Sequence, residues 1–131
     1  MRLGGPVFEA YDDPDCWARA VRALGYSAAY CPIKSTASEE TAASFVAAAA
    51  EHDVVIAEVA AWCNPLSPNE SERKAAVEFC KRQLDFAERI GASCCVGVSG
   101  SRGEKWEPVP AVVESWLVAR LFYAALPSWS I

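Results

Sequence analysis

Glu58 interrupts an otherwise apolar run, Val54-Val55-Ile56-Ala57-Glu58-Val59. A carboxylate at the end of such a run can accept a substrate hydroxyl or help bind a metal, and acids in apolar surroundings are rare without a reason. The alternative is a buried acid neutralised by a Lys or Arg of a neighbouring strand. Trp62 and Asn64 follow a few residues later. An aromatic face beside an amide suits stacking on, and hydrogen bonding to, a polyhydroxylated ring; a loop-packing Trp and an Asx-Pro turn account for the same two residues. A third group, Ser99, Ser101 and Arg102, sits in the turn Gly97-Val98-Ser99-Gly100-Ser101-Arg102-Gly103. Such a turn can present backbone N–H groups, and its Arg can pair with a phosphate or carboxylate. It can equally be an exposed turn with a solvated Arg.

The remaining chemistry-bearing residues mostly exclude functions. With a single histidine, His52, one chain cannot build a His-rich metal site. Its place at a helix end suits a cation offsetting the helix dipole. The six cysteines show no C-x-x-C spacing. Cys94 and Cys95 are adjacent on a strand, so their side chains point to opposite faces; one could line a barrel, although burial as a small apolar residue explains both. No Gly-x-Gly-x-x-Gly follows a strand, and the glycine-rich turn lacks the Lys-Ser/Thr ending of a P-loop. The net charge of −5 leaves no Lys/Arg cluster for phosphates, which argues against nucleic acid or an anionic membrane as partner. The first residues, Met1-Arg2-Leu3-Gly4-Gly5-Pro6, contain no apolar signal region, and the apolar stretch from Val109 to Leu126 is interrupted by Pro110, Glu114 and Arg120. A cytoplasmic protein with reduced thiols is the expectation.

Four strand–helix units must position these groups. The first pairs Leu3-Gly4-Gly5-Pro6-Val7-Phe8 with a helix begun by Asp13-Pro14, striped by Trp17, Val21 and Leu24, and ended by Gly25. The second runs from Ser27 to Ile33, then through a capping box at Thr36-Ala37-Ser38-Glu39 into a helix that buries Ala42, Phe45 and Ala49 and stops near His52-Asp53. In the third, strand 54–59 leads through Ser67-Pro68-Asn69-Glu70, a capping box with proline at N1, into a helix striped by Val77, Cys80, Leu84 and Ala87. The fourth opens with strand 93–99, and a last helix is expected over Ala111 to Ala125. Strands apolar on both faces, alternating with amphipathic helices, require a parallel sheet with right-handed crossovers. Either a barrel or an open doubly wound sheet satisfies that rhythm.

Leu3-Gly4-Gly5-Pro6-Val7-Phe8, the stretch Val55 to Val59 running on to Trp62-Cys63-Asn64-Pro65-Leu66-Ser67-Pro68, and the Gly97 to Gly103 turn with Trp106 together resemble the xylose-isomerase-like family. That family contains sugar-phosphate isomerases, epimerases and class II apurinic endonucleases. The resemblance implies an α/β fold, a partial (β/α)₈ TIM barrel of about four βα units. Residues 1–106 would be the N-terminal half of the barrel domain, and 107–131 a divergent C-terminal helix and tail. At 131 residues the chain is far short of the roughly 250 of a complete barrel. From Glu107 onward the sequence no longer resembles the family, and a truncation or frameshift there is the expectation.

The resemblance further implies isomerisation or epimerisation of a small sugar or sugar phosphate by metal-assisted proton transfer. The divalent metal (Mn, Mg, Co or Zn) would have its ligands on later strands, outside this chain. Glu58 is then the candidate catalytic carboxylate, and Trp62, Asn64, Ser99 and Arg102 the candidate substrate contacts. Two other functions compete. One is a non-catalytic half-barrel, two copies of which could close by two-fold symmetry over the apolar last helix. The other is an apurinic-site endonuclease, disfavoured by the acidic charge.

Overall fold

The computed structural model describes residues 2–103. The expected helix over Ala111 to Ala125, its proposed dimerising face and Trp106 lie outside the described residues. The chain divides into two compact units. One comprises Met1–Trp62 with Arg82–Gly97, and the other Cys63–Lys81 with Val98–Ile131.

The first unit holds a four-stranded parallel sheet in the order β1 (Gly4–Gly5), β2 (Ala28–Tyr30), β3 (Val55–Ala61), β4 (Cys94–Gly97). Strands β1 and β2 are shorter than expected. β1 ends where Pro6 offers no N–H to a ladder, and β2 ends two residues before Pro32. The Gly4 backbone lies so close to β2 that a Cβ there would sit 2.6 Å from the Ala28 carbonyl oxygen, so only glycine fits.

Helices α1 (Pro14–Ala23), α2 (Glu39–Glu51) and α3 (Glu70–Arg89) alternate with the strands. The Asp13 carboxylate caps α1 by accepting from the Cys16 N–H at 2.7 Å, with Pro14 in the first turn. The cap of α2 is Ser38, whose hydroxyl accepts from the Thr41 N–H at 3.1 Å. The box expected at Thr36 is displaced because residues 34–37 form a turn, the Ala37 N–H donating to the Lys34 carbonyl. Similarly, α3 is capped by Asn69 rather than Ser67. The Asn69 side-chain oxygen reaches the N–H groups of Ser71 and Glu72 together, at 3.0 and 3.4 Å, leaving Pro68 outside the helix.

All three helices end alike. The N–H groups of Gly25 and Tyr26 return to Arg22 and Val21, those of Asp53 and Val54 to Ala50 and Ala49, and those of Gly91 and Ala92 to Glu88 and Ala87. This is the paired 5→2 and 6→1 closure that needs a left-handed residue at its turn. Asp53 meets that need without being glycine, at φ 52°. Arg2 holds it, donating to the Asp53 carbonyl at 2.8 Å and to its carboxylate at 2.7 Å.

A single hydrophobic layer joins the helices to one face of the sheet. It contains Trp17, Ala18 and Val21 of α1, Phe45 and Ala49 of α2, Phe86 and Ala87 of α3, and Ile90 just after it. Against them lie Ala29, Val54, Ile56 and Val59. Phe45 takes the edges of Trp17 and Tyr11, with ring centroids 5.7 and 6.4 Å away. Leu24, expected to complete the α1 stripe, is the helix cap and 45% exposed. On α3 the buried positions are Ala76, Cys80, Gln83, Phe86 and Ala87, followed by Ile90 just after the helix. Val77 and Leu84, expected in the stripe, are half-buried at its margin. Gln83 earns its buried place by donating to the Ala60 carbonyl of β3 at 2.6 Å.

Trp17→Ala removes the most enclosed aromatic of this layer and is expected to cost about 3–5 kcal/mol in urea unfolding. Asp13 and Asp53 are held below the ordinary carboxylate range, Asp13 chiefly by the Cys16 N–H and Asp53 chiefly by the Arg2 guanidinium. Both therefore stabilise the fold above the unfolded value near pH 3.8 and lose that contribution as the pH falls through their lowered folded values. The melting temperature should drop on acidification below about pH 4, and more shallowly in Asp53→Asn, measured by circular dichroism.

Candidate functional site

Strict alternation would place Glu58 in phase with Val54 and Ile56, and the structure corrects this. Ala29 pairs with Ile56, but the next residue of β2, Tyr30, pairs with Glu58. Ala57 is the extra residue of a bulge, which reverses the phase of β3. Beyond it, Val59 and Ala61 take the helix-covered face, at 1% and 3% exposure. Glu58 consequently turns to the opposite face. Register neighbours on parallel strands share a face, so Tyr30, Glu58 and Cys94 form one row across β2, β3 and β4. Tyr30 is 49% exposed and Cys94 is exposed, while Glu58 between them is half-buried. The Cys94 thiol donates to the Ala57 carbonyl at 3.4 Å, which ties β4 to the bulge. Its neighbour Cys95 faces the other way and packs on the core. Trp62, directly after β3, is 63% exposed.

Cys31 follows the row's Tyr30. Burial pushes its thiol pKa up, and the thiol donates to the Ile33 carbonyl at 3.4 Å, so this cysteine is a packed, unreactive one. On the outer side, the His52 ring nitrogen lies 2.6 Å from the Asp15 carboxylate, which also pairs with Arg19 at 2.9 Å. His52 thus joins the end of α2 to the start of α1, a structural placement.

The second unit contains the other predicted residues. Asn64 is half-buried, and both ends of its amide are used. The amide nitrogen donates to the Ser101 carbonyl, and the amide oxygen accepts from the Ser101 N–H, each at 2.8 Å. That oxygen also accepts from the Leu66 N–H at 3.2 Å, closing an Asx turn. The side chain thereby imitates one rung of a β-ladder between two loops of this unit. Gly100, at φ +86°, makes the approach feasible, since a Cβ there would overlap the Asn64 side-chain oxygen. Ser101 is 3% exposed, with its hydroxyl accepting from the Gly103 N–H at 3.1 Å; Ser99 and Arg102 are exposed beside it.

The rest of the loop is braced. Buried Ser67 donates to the Glu72 carboxylate at 2.8 Å, and the Arg73 guanidinium donates to the Ser67 carbonyl at 2.7 Å. Sequence reasoning missed the roles of Tyr30, Glu72 and Arg73. Glu72 was detectable, standing three residues after Asn69 in a capping-box spacing. Tyr30 was not, because its place in the row depends on strand pairing.

The family model described as xylose isomerase-like TIM barrel matches residues 18–125. The chain belongs to this family. No curated protein matches it. In a TIM barrel the face turned away from the helices lines the interior, and the active site gathers at the C-terminal ends of the strands. In this family member the Tyr30–Glu58–Cys94 row occupies that inner face, and Trp62 follows the C-terminal end of β3.

The family also implies a divalent metal. Among the described residues no three His, Cys, Asp or Glu side chains lie together as a metal cage requires, and Glu58 is a lone carboxylate in its row. The described residues therefore do not fit a metal site of their own. Among them, too, no helix is long and apolar enough to cross a membrane.

Asn64→Ala removes the partner of the buried Ser101 N–H and is expected to cost about 1–3 kcal/mol. Amide exchange at Ser101 should accelerate, as seen by hydrogen-exchange mass spectrometry. Gly100→Ala should reproduce the effect by expelling Asn64.

Proposed function

We propose that this chain binds a small sugar or sugar phosphate as part of an isomerase or epimerase of the xylose isomerase-like family. The observation that carries the proposal is the bulge that turns Glu58, in the middle of β3, onto the inner face of the sheet, level with Tyr30 at the C-terminal end of β2. A half-buried carboxylate beside a phenol can accept hydrogen bonds from one substrate hydroxyl while the phenol donates to or accepts from another. Such a pair orients a polyol about the carbon that exchanges its proton, which is the positioning part of isomerase chemistry. The exposed indole of Trp62 supplies an apolar face of the kind that stacks on a pyranose or furanose ring.

Taken by itself, the second unit exposes Ser99 and Arg102, and an arginine of this kind suits a phosphate. Asn64 acts there as a positioning residue, because its amide is committed to Ser101. The net charge of −5 supports a small-molecule ligand over an apurinic DNA site.

Isothermal titration with a panel of aldose and ketose phosphates tests this. Glu58→Gln should weaken binding roughly ten- to hundredfold, the range for one hydrogen bond to a charged group. Trp62→Ala should weaken it by a smaller factor while circular dichroism stays unchanged. Wild-type protein that takes up no sugar phosphate, or that binds an abasic-site duplex at low salt instead, overturns the reading.

A further inference from the structure

Cys63 and Cys80 lie in the same unit, Cys63 at the head of the braced loop and Cys80 on α3. Their sulfur atoms are 3.3 Å apart. The Cys63 thiol also reaches the Ala76 carbonyl at 3.5 Å. Ala76 and Cys80 are one helical turn apart, so Cys63 sits in the notch between consecutive positions of one helix face. Cys63 is half-buried and Cys80 is 7% exposed. The pair thus offers one thiol to small solutes while keeping the second enclosed behind it. A disulfide bond of about 2.05 Å would need the sulfurs to close by only about 1.3 Å. Rotation about the side-chain torsions supplies movement of that size without unwinding α3.

We propose that Cys63 and Cys80 form a dithiol–disulfide site, oxidised by hydroperoxides. The Cys63 thiolate attacks the terminal peroxide oxygen; the O–O bond breaks, the alcohol (or water) leaves, and a sulfenic acid remains on Cys63. The Cys80 thiolate then attacks the Cys63 sulfur, the S–O bond breaks, and water leaves after taking up a proton. In sum, two thiols and one hydroperoxide give one disulfide, one alcohol and one water. The thiols lose two electrons and the peroxide gains them.

The cross-link would enclose residues 63–80, including the Asn64 turn, the Ser67–Glu72 hydrogen bond and the Asn69 cap. Oxidation should therefore stiffen the joint through which the loop enters α3, whatever ligand the protein takes. This site is independent of the sugar-binding reading.

The test uses the purified full chain, treated with one to a few equivalents of hydrogen peroxide and then digested with trypsin. Arg73 and Lys74 lie between the two cysteines, so they fall in different peptides. The expected product is a single peptide pair joining Cys63 to Cys80. Titratable thiols in denaturant should drop by two from six and be restored by dithiothreitol. In Cys80→Ser the sulfenic acid on Cys63 should persist and be trapped by a 1,3-diketone, whereas Cys63→Ser should leave Cys80 unmodified. Exchange of the amides over 64–72 should slow several-fold in the oxidised protein. Retention of all six thiols, a cross-link between other cysteines, or Cys80 reacting first in folded protein would overturn the proposal.

Discussion

One extra residue in β3, Ala57, is the constraint on which the inner face of the sheet depends. Without that bulge, uninterrupted alternation from Val54 and Ile56 would drive the Glu58 carboxylate into the layer of Trp17, Phe45 and Phe86. An unpaired acid among aromatic rings costs several kcal/mol or remains protonated. With the bulge, Val59 enters that layer and Glu58 faces the other way. The same irregularity sets Tyr30 and Cys94 beside Glu58, because the pairing on both sides of β3 follows from it.

The helices are held to the sheet by economical means. Each αβ connection is the same two-hydrogen-bond closure, and each strand starts four or five residues after the helix before it ends. Glycine fills the left-handed position twice. At the third, Asp53 is stabilised by Arg2, which spans from the start of β1 to the end of α2. The ion pair is solvent-exposed, so its value lies less in Coulomb energy than in fixing a strained backbone. The cap residues Asp13, Ser38 and Asn69 perform the matching task at the helix starts.

In the second unit, a side chain substitutes for backbone. Asn64 pairs with both polar groups of Ser101, and Gly100 admits it because it has no Cβ. The loop that carries Asn64 is then braced by Ser67, Glu72 and Arg73 and touches α3 through the Cys63 and Cys80 sulfurs. A loop fixed at this many points is preorganised, which lowers the ordering cost when a ligand is bound. The polar groups used for bracing are unavailable to a ligand, which makes Asn64 a positioning group.

Much of this could be read from the residues alone. The alternation of apolar runs with 3.6-periodic stripes determines the strand–helix order and the parallel sheet, and the Trp-x-Asn-Pro-Leu-Ser-Pro and Gly-Ser-Arg-Gly segments point to the family. Asp13-Pro14 marks its helix start because capping is a local interaction within four residues. The helix starts at Ser38 and Asn69 lie two residues from Thr36 and Ser67, since several polar residues in each loop compete for the same N–H groups. Only the tertiary structure decided which way Glu58 faces, that Tyr30 stands beside it, and that the Asn64 amide is occupied by Ser101. These depend on strand register and on contacts between residues more than twenty-five positions apart. Local sequence carries no term for such contacts; they are settled when the apolar layer packs and the strands take their register.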